Sequence, residues 1–113
     1  MSRSTDQRIA DILEAIDRCR RYVDALSSDD RDLAEMAEDA IERNLQIIGE
    51  AAKHLPAELT DARPEIAWPQ IRGFRNILVH QYFGVDVATV REVVETYLPP
   101  LVTALHTGNN TQP

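Results

Sequence analysis

The sequence predicts an all-α protein, an antiparallel four-helix bundle with a kink in its C-terminal helix. Three observations lead there. Apolar residues recur three and four positions apart in four successive segments, the period of a helix that buries one face. No stretch alternates as a half-buried strand would, and no hairpin signal separates two apolar runs. Most connections between the segments are short, which makes neighbouring helices antiparallel. The chain has 113 residues, of which 43% are hydrophobic and 27% charged. That is one domain's length with one ordinary core, and it excludes a disordered chain. A single helical domain over residues 1–113 is therefore expected.

The first helix is expected over roughly Thr5 to Leu26, where Ile9, Ile12, Leu13, Ile16, Cys19, Val23 and Leu26 form the stripe. Ser4 with Gln7 has the spacing of a capping box. Cys19 falls inside the stripe and reads as a packed thiol rather than a nucleophile. Ser27-Ser28-Asp29-Asp30 makes a loop and cap before a long second helix that runs to about Leu55. Leu33, Met36, Ala37, Ala40, Ile41, Ile48, Ala51, Ala52 and Leu55 mark its buried face. Gly49 inside that helix costs about 1 kcal/mol against alanine, so another helix is expected to approach closely there. Pro56 to Pro69 is a turn-rich connection with a short helical turn around Ala57 to Thr60. Trp68 reads as a core or staple residue ahead of the third helix, expected from Pro69 to Tyr82 with Gly84 as terminator. Asp86 caps the fourth helix, whose stripe is Val87, Val90, Val94, Tyr97, Leu98, Leu101 and Leu105. Pro99-Pro100 removes two backbone donors, leaving the carbonyls of Glu95 and Thr96 without helical partners, and should kink or break the helix. Arg91 and Glu95 have the spacing of an exposed ion pair, and Thr107 to Pro113 reads as a frayed tail.

The formal net charge is −7. A protein that coats nucleic acid by bulk electrostatics presents a basic face, so that class is excluded, though a local anion site is not. From Ile66 to Val85 there is no Asp or Glu, while Arg72, Arg75 and His80 fall in that window. An anion would approach there. No run of about 18 apolar residues occurs, so no membrane-spanning helix is expected. The first eight residues lack the apolar core of a signal peptide, and the single cysteine excludes an internal disulfide, so the expected compartment is the cytoplasm.

The third helix is unusual because Ile71, Phe74, Ile77, Leu78, Val79 and Phe83 surround much of its circumference, yet Arg72, Arg75, Asn76, His80 and Tyr82 are embedded in it. Buried unpaired charge is expensive, so these groups must emerge in a cleft, at a subunit seam or against acids of another helix. Arg72, Asn76 and His80 share one stripe at about 100° per residue, whereas the Cβ directions of Arg75 and His80 differ by roughly 140°. Two copies of this helix brought together in a homodimer would supply the convergence that one chain lacks. From spacing alone, other readings stay open. His80 can be a structural histidine, Arg75 an ion-pair partner of Glu42 or Glu50, Tyr82 a core residue with its hydroxyl near solvent, and Arg72 a phosphate contact or a packing residue. His54, His80 and His106 have no metal-ligand spacing, and the four glycines form no phosphate loop.

Arg75-Asn76-Ile77-Leu78-Val79-His80-Gln81-Tyr82 fits the pattern of arginine, four residues, histidine, any residue, tyrosine. With Ile47-Ile48-Gly49-Glu50-Ala51-Ala52, Trp68-Pro69-Gln70-Ile71-Arg72-Gly73-Phe74 and Tyr82-Phe83-Gly84-Val85-Asp86, it resembles the HepT-type toxins, which are HEPN-domain ribonucleases. The resemblance covers nearly the whole chain. It implies a HEPN-like bundle acting as a homodimer on RNA, without metal or other cofactor, in a cleft formed by two copies of the motif. It implies Arg75 and His80 as catalytic residues. Asn76, one turn before His80, is placed to orient that imidazole or to contact the RNA phosphate, and Arg72 stays open between an RNA phosphate contact and packing. It also implies a partner, an MntA-type nucleotidyltransferase antitoxin, that transfers AMP from ATP to Tyr82. The alternative is a non-catalytic helical partner or nucleotide-binding subunit of a minimal nucleotidyltransferase, with Arg75 and His80 holding phosphate.

Overall fold

A computed structural model of the chain describes residues 3–76 and 87–109, and all the regular structure in them is helical. The expected all-α, HEPN-like class is the class observed. His80, Tyr82, the terminator Gly84 and the cap Asp86 lie outside the described residues.

Helix α1 spans Thr5–Tyr22 and continues as a 3-10 turn over Val23–Ser27. Its start is fixed by the expected capping box. The Gln7 N–H donates to the Ser4 hydroxyl at 3.1 Å, and the Ser4 N–H donates to the Gln7 side-chain oxygen at 2.7 Å. Two of the end's unsatisfied donors are thereby paired. Helix α2 spans Arg31–Lys53, capped by Asp30, whose carboxylate accepts from the Leu33 N–H at 3.2 Å. The two helices form the central antiparallel pair. Ile9, Ile12, Ile16 and Cys19 from α1 meet Ala37, Ile41, Leu45 and Ile48 from α2, all buried. Asn44 is buried in α2, and its amide is satisfied. It donates to the Ala40 carbonyl at 2.7 Å and accepts from Arg18 of α1 at 3.4 Å.

Leu33 and Met36 do not join the buried face of α2 as expected. They are 45% and 66% exposed. Met36 stands roughly 120° round the helix from Ile48, the middle of the stripe. Leu33 stands at the same wheel angle as the buried Ala51, five turns on, so its exposure is not a matter of helical period.

After α2 come two short helices, α3 over Ala57–Asp61 and α4 over Trp68–Arg72. Trp68 is buried, and its indole N–H donates to the Arg63 carbonyl at 3.0 Å, which staples the turn to the start of α4. The expected continuous third helix from Pro69 is interrupted. The Gly73 N–H reaches back to the carbonyls of Pro69 and Gln70, both at 3.1 Å, closing α4 in a tight turn. Phe74 to Asn76 are helical again after this turn.

Helix α5 spans Val87–Asn109 and packs its buried Val90, Val94, Leu98, Leu101 and Leu105 against the α1–α2 pair. It is not broken at Pro99-Pro100. Leu98 and Leu101 on either side are fully buried, whereas both prolines and the residues whose carbonyls they free, Glu95 and Thr96, are exposed. Water can therefore serve those carbonyls while packing holds the other face. Arg91 does not pair with Glu95. It donates instead to the Ser27 hydroxyl and ties α5 to the 3-10 turn. Helix α5 also takes in the first residues of the expected tail, to Asn109.

The end of α4 docks on α2 at Gly49. A Cβ built on Gly49 would stand 2.9 Å from the Ile71 carbonyl oxygen, 3.5 Å from Phe74 Cβ and 3.7 Å from the Arg72 carbonyl oxygen. The close approach expected at this glycine is present, and the neighbour is backbone, which cannot rotate away. Gly49→Leu should therefore lower the melting midpoint. Overpacking costs about 1–3 kcal/mol, enough to outweigh the gain of roughly 1 kcal/mol in helix propensity. A thermal melt of the variant with an unchanged or higher midpoint would contradict this packing.

Candidate active site

The segment that carries the arginine motif leaves α4 through Gly73 and is held by one residue. Phe74 is 1% exposed and packs its ring edge-on against Tyr97 of α5, with centroids 5.9 Å apart and planes at 69°. Such a pair contributes about 0.5–1.5 kcal/mol beyond the area it buries. On its other side Phe74 meets α2 at Gly49. The chain just before Arg75 is thus gripped between α2 and α5.

Arg75 and Asn76 follow directly and are exposed. Among the described residues neither side chain makes a hydrogen bond or ion pair. The ion pairing of Arg75 with Glu42 or Glu50 is not present, since Glu50 faces Lys53 at 3.5 Å and His54 at 3.8 Å instead. Arg72, the last residue of α4, is half-buried. The turn at Gly73 separates it from Asn76, so the expected shared stripe does not cross from Arg72 to Asn76. The catalytic candidate His80 and the modification candidate Tyr82 lie outside the described residues.

On α2, Glu35, Glu38, Asp39 and Glu42 lie within two turns with no basic residue between them. Partial burial, joined by repulsion from Asp39 and Glu35, raises the Glu38 carboxyl above its ordinary value. Partial burial, joined by repulsion from Glu38 and Asp39, raises Glu42 in the same direction. By helical spacing, Glu38 and Glu42 fall within about 20° of Gly49 on the wheel of α2. They stand on the side of the helix that receives the end of α4.

Cys19 carries no chemistry. It is fully buried, and its thiol is pushed up to about 12 by that burial, against a smaller opposing effect of a backbone hydrogen bond. No described helix is long and apolar enough to cross a membrane.

Residues 12–107 match the family model described as ribonuclease HepT-like. The chain belongs to the HepT-like ribonuclease family. It is 35% identical over 101 residues to a protein named "Probable ribonuclease HepT" from Thermococcus cleftensis, covering 89% of this chain and 92% of that one. It is 38% identical over 90 residues to a "Gamma-glutamylcyclotransferase and putative RNase" of Methanocaldococcus jannaschii, covering 80% of this chain but only 40% of that protein. No solved structure matches it significantly. The family match spans the chain from within α1 to the last turn of α5, with Gly49 and the arginine motif inside it.

The motif picks out Arg75 as a candidate from sequence, and the structure places it exposed. Sequence reasoning did not find Tyr97 as the residue against which the neighbouring Phe74 packs. Tyr97 belonged to the apolar stripe of α5, and that position was its only signal.

The acidic ridge makes a prediction about pH. A carboxyl whose folded value lies above its unfolded one binds its proton more tightly in the native state. Its favourable contribution is complete below the ordinary carboxylate range and is lost as pH rises through the raised value. Near neutrality the ionised Glu42 is therefore a burden on the fold. Glu42→Gln should raise the melting midpoint at pH 7, and the advantage should shrink as pH falls through the raised value toward the ordinary carboxylate range. Thermal melts of both proteins from pH 4 to pH 7 check this, and an advantage independent of pH would contradict it.

Proposed function

We propose that this chain is the toxin of a toxin–antitoxin pair, a metal-independent RNA endonuclease that works as a homodimer and is silenced by adenylylation of Tyr82. The observation that carries the reading is the Arg75 to Tyr82 motif, in a HepT-like ribonuclease, following directly on a segment gripped by α2 and α5. Cleavage of RNA through its own 2′-hydroxyl needs a base for that hydroxyl and an acid for the leaving oxygen. It also needs positive charge where the transition state gathers negative charge. His80 serves as the proton-transfer group, since an imidazole titrates near neutrality. Arg75 supplies a permanently charged, two-pronged donor matched to a phosphate. Its exposed side chain, unpaired among the described residues, supports this role. Asn76 and Arg72 assist at the phosphate. Two protomers bring two copies of each group to one cleft, which answers the poor convergence of Arg75 and His80 on a single helix.

Regulation acts at the same place. The Tyr82 hydroxyl oxygen attacks the α-phosphorus of ATP on a nucleotidyltransferase antitoxin. Pyrophosphate leaves, the phenolic proton is released, and the tyrosine carries AMP through a phosphodiester. That anion occupies the arginine clamp, and the nucleoside blocks the approach of RNA.

Arg75→Ala and His80→Ala should each reduce cleavage of an RNA oligonucleotide by about 10²–10⁴-fold while leaving the circular dichroism spectrum unchanged. Wild-type cleavage should persist in EDTA. A variant that keeps near wild-type activity removes its residue from the mechanism, and inhibition by EDTA removes the metal-free one. A pure, unmodified protein that binds a nucleotide without cleaving RNA would favour the non-catalytic partner reading.

Incubation with the antitoxin, ATP and magnesium should add AMP to Tyr82, read by peptide mass spectrometry, and abolish cleavage. Tyr82→Phe should retain most of the ribonuclease activity and resist silencing by modification. AMP found only on Tyr22 or Tyr97 would sink this assignment.

A further inference from the structure

We propose that Gly49 and Tyr97 are positioning residues for Arg75. They hold the backbone ahead of it through Ile71 and Phe74, and so fix where its guanidinium meets the RNA phosphate. The inference rests on the reading of Arg75 as the transition-state clamp.

Arg75 is exposed, and no described side chain holds its guanidinium. A long flexible side chain of this kind is an effective clamp only if its base is fixed, because preorganised charge is what stabilises a transition state. The fixing comes from the residues just before it. Ile71 and Phe74 are each 1% exposed. The bare backbone of Gly49 lets the Ile71 carbonyl oxygen come within 2.9 Å of where a Cβ would stand, with Phe74 Cβ at 3.5 Å. The Phe74 ring also meets Tyr97 of α5 edge-on at 5.9 Å. Phe74 is thus in contact with two helices, and the α2 contact is made close to backbone that cannot rotate away. A methyl group on Gly49 must push Ile71, Phe74 or both. Loss of the Tyr97 ring removes the contact of the Phe74 ring with that residue. Either change shifts the backbone that carries Arg75, and a displacement of about 1 Å at a reacting centre can cost on the order of 10²-fold in rate.

The experiment is steady-state cleavage of an RNA oligonucleotide by unmodified protein, at a temperature well below every melting midpoint. Gly49→Ala and Tyr97→Ala should lower kcat about ten-fold or more with KM within about two-fold, the signature of an interaction made in the transition state. Tyr97→Phe keeps the ring and should restore the wild-type rate to within about two-fold. Ile12→Val, a change in the α1 core that also lowers the midpoint, should leave kcat unchanged. In an Arg75→Ala background neither Gly49→Ala nor Tyr97→Ala should reduce the residual rate further, since the group they position is gone. Should Gly49→Ala fail to fold, the Tyr97 variants and their double mutants decide alone. Wild-type kcat in Tyr97→Ala, multiplicative losses with Arg75→Ala, or an equal loss in Ile12→Val would overturn the inference. Wild-type kcat in Arg75→Ala itself would overturn the functional reading beneath it, which keeps the two failures distinguishable.

Discussion

The Ile71 carbonyl rests against α2 at the one turn where that helix has no side chain, and the path of the chain into the arginine motif depends on that contact. A glycine in a helix interior loses about 1 kcal/mol relative to alanine, so its presence at position 49 needs a compensating reason. The reason is distance. With any side chain at Gly49, α4 must stand off from α2 and Phe74 moves with it. Phe74 is then displaced from Tyr97, and the exposed Arg75 that follows begins from a different point.

Much of this was legible in the sequence because it is local. The stripe of Ile9, Ile12, Ile16 and Cys19, the capping box of Ser4 and Gln7, the Asp30 cap and the glycine packing site all follow from residues a few positions apart. What was misread depends on partners far along the chain. Apolar spacing continues through Gly73, so it carried the third helix past a turn that only backbone hydrogen bonding reveals. Leu33 and Met36 obey the helical period, but whether a helix edge is covered is decided by its neighbours. Arg91 had Glu95 within a turn and took Ser27, distant in sequence, instead. At the candidate site the contiguous motif could be read from sequence, and Arg75 and Asn76 are exposed. The contact of Phe74 with Tyr97 joins two helices, and no periodicity encodes it.

The charge distribution fits an RNA-directed site in an acidic chain. The acids of α2 repel a polyanion from much of that helix, while the stretch from Ile66 to Val85 contains none. A net charge of −7 keeps non-specific attraction to nucleic acid low. Within that acid-free stretch Arg72, Arg75 and His80 are the cationic candidates.

Cys19 carries a last consequence. With its thiol pushed up to about 12 and its side chain fully enclosed, Cys19 is held as a protonated thiol away from solvent. Peroxide and maleimides alike find nothing to react with while the bundle is folded. The native sequence is therefore a ready background for site-directed spin or fluorophore labelling, in which a cysteine introduced on the surface reports distances without first removing the natural one.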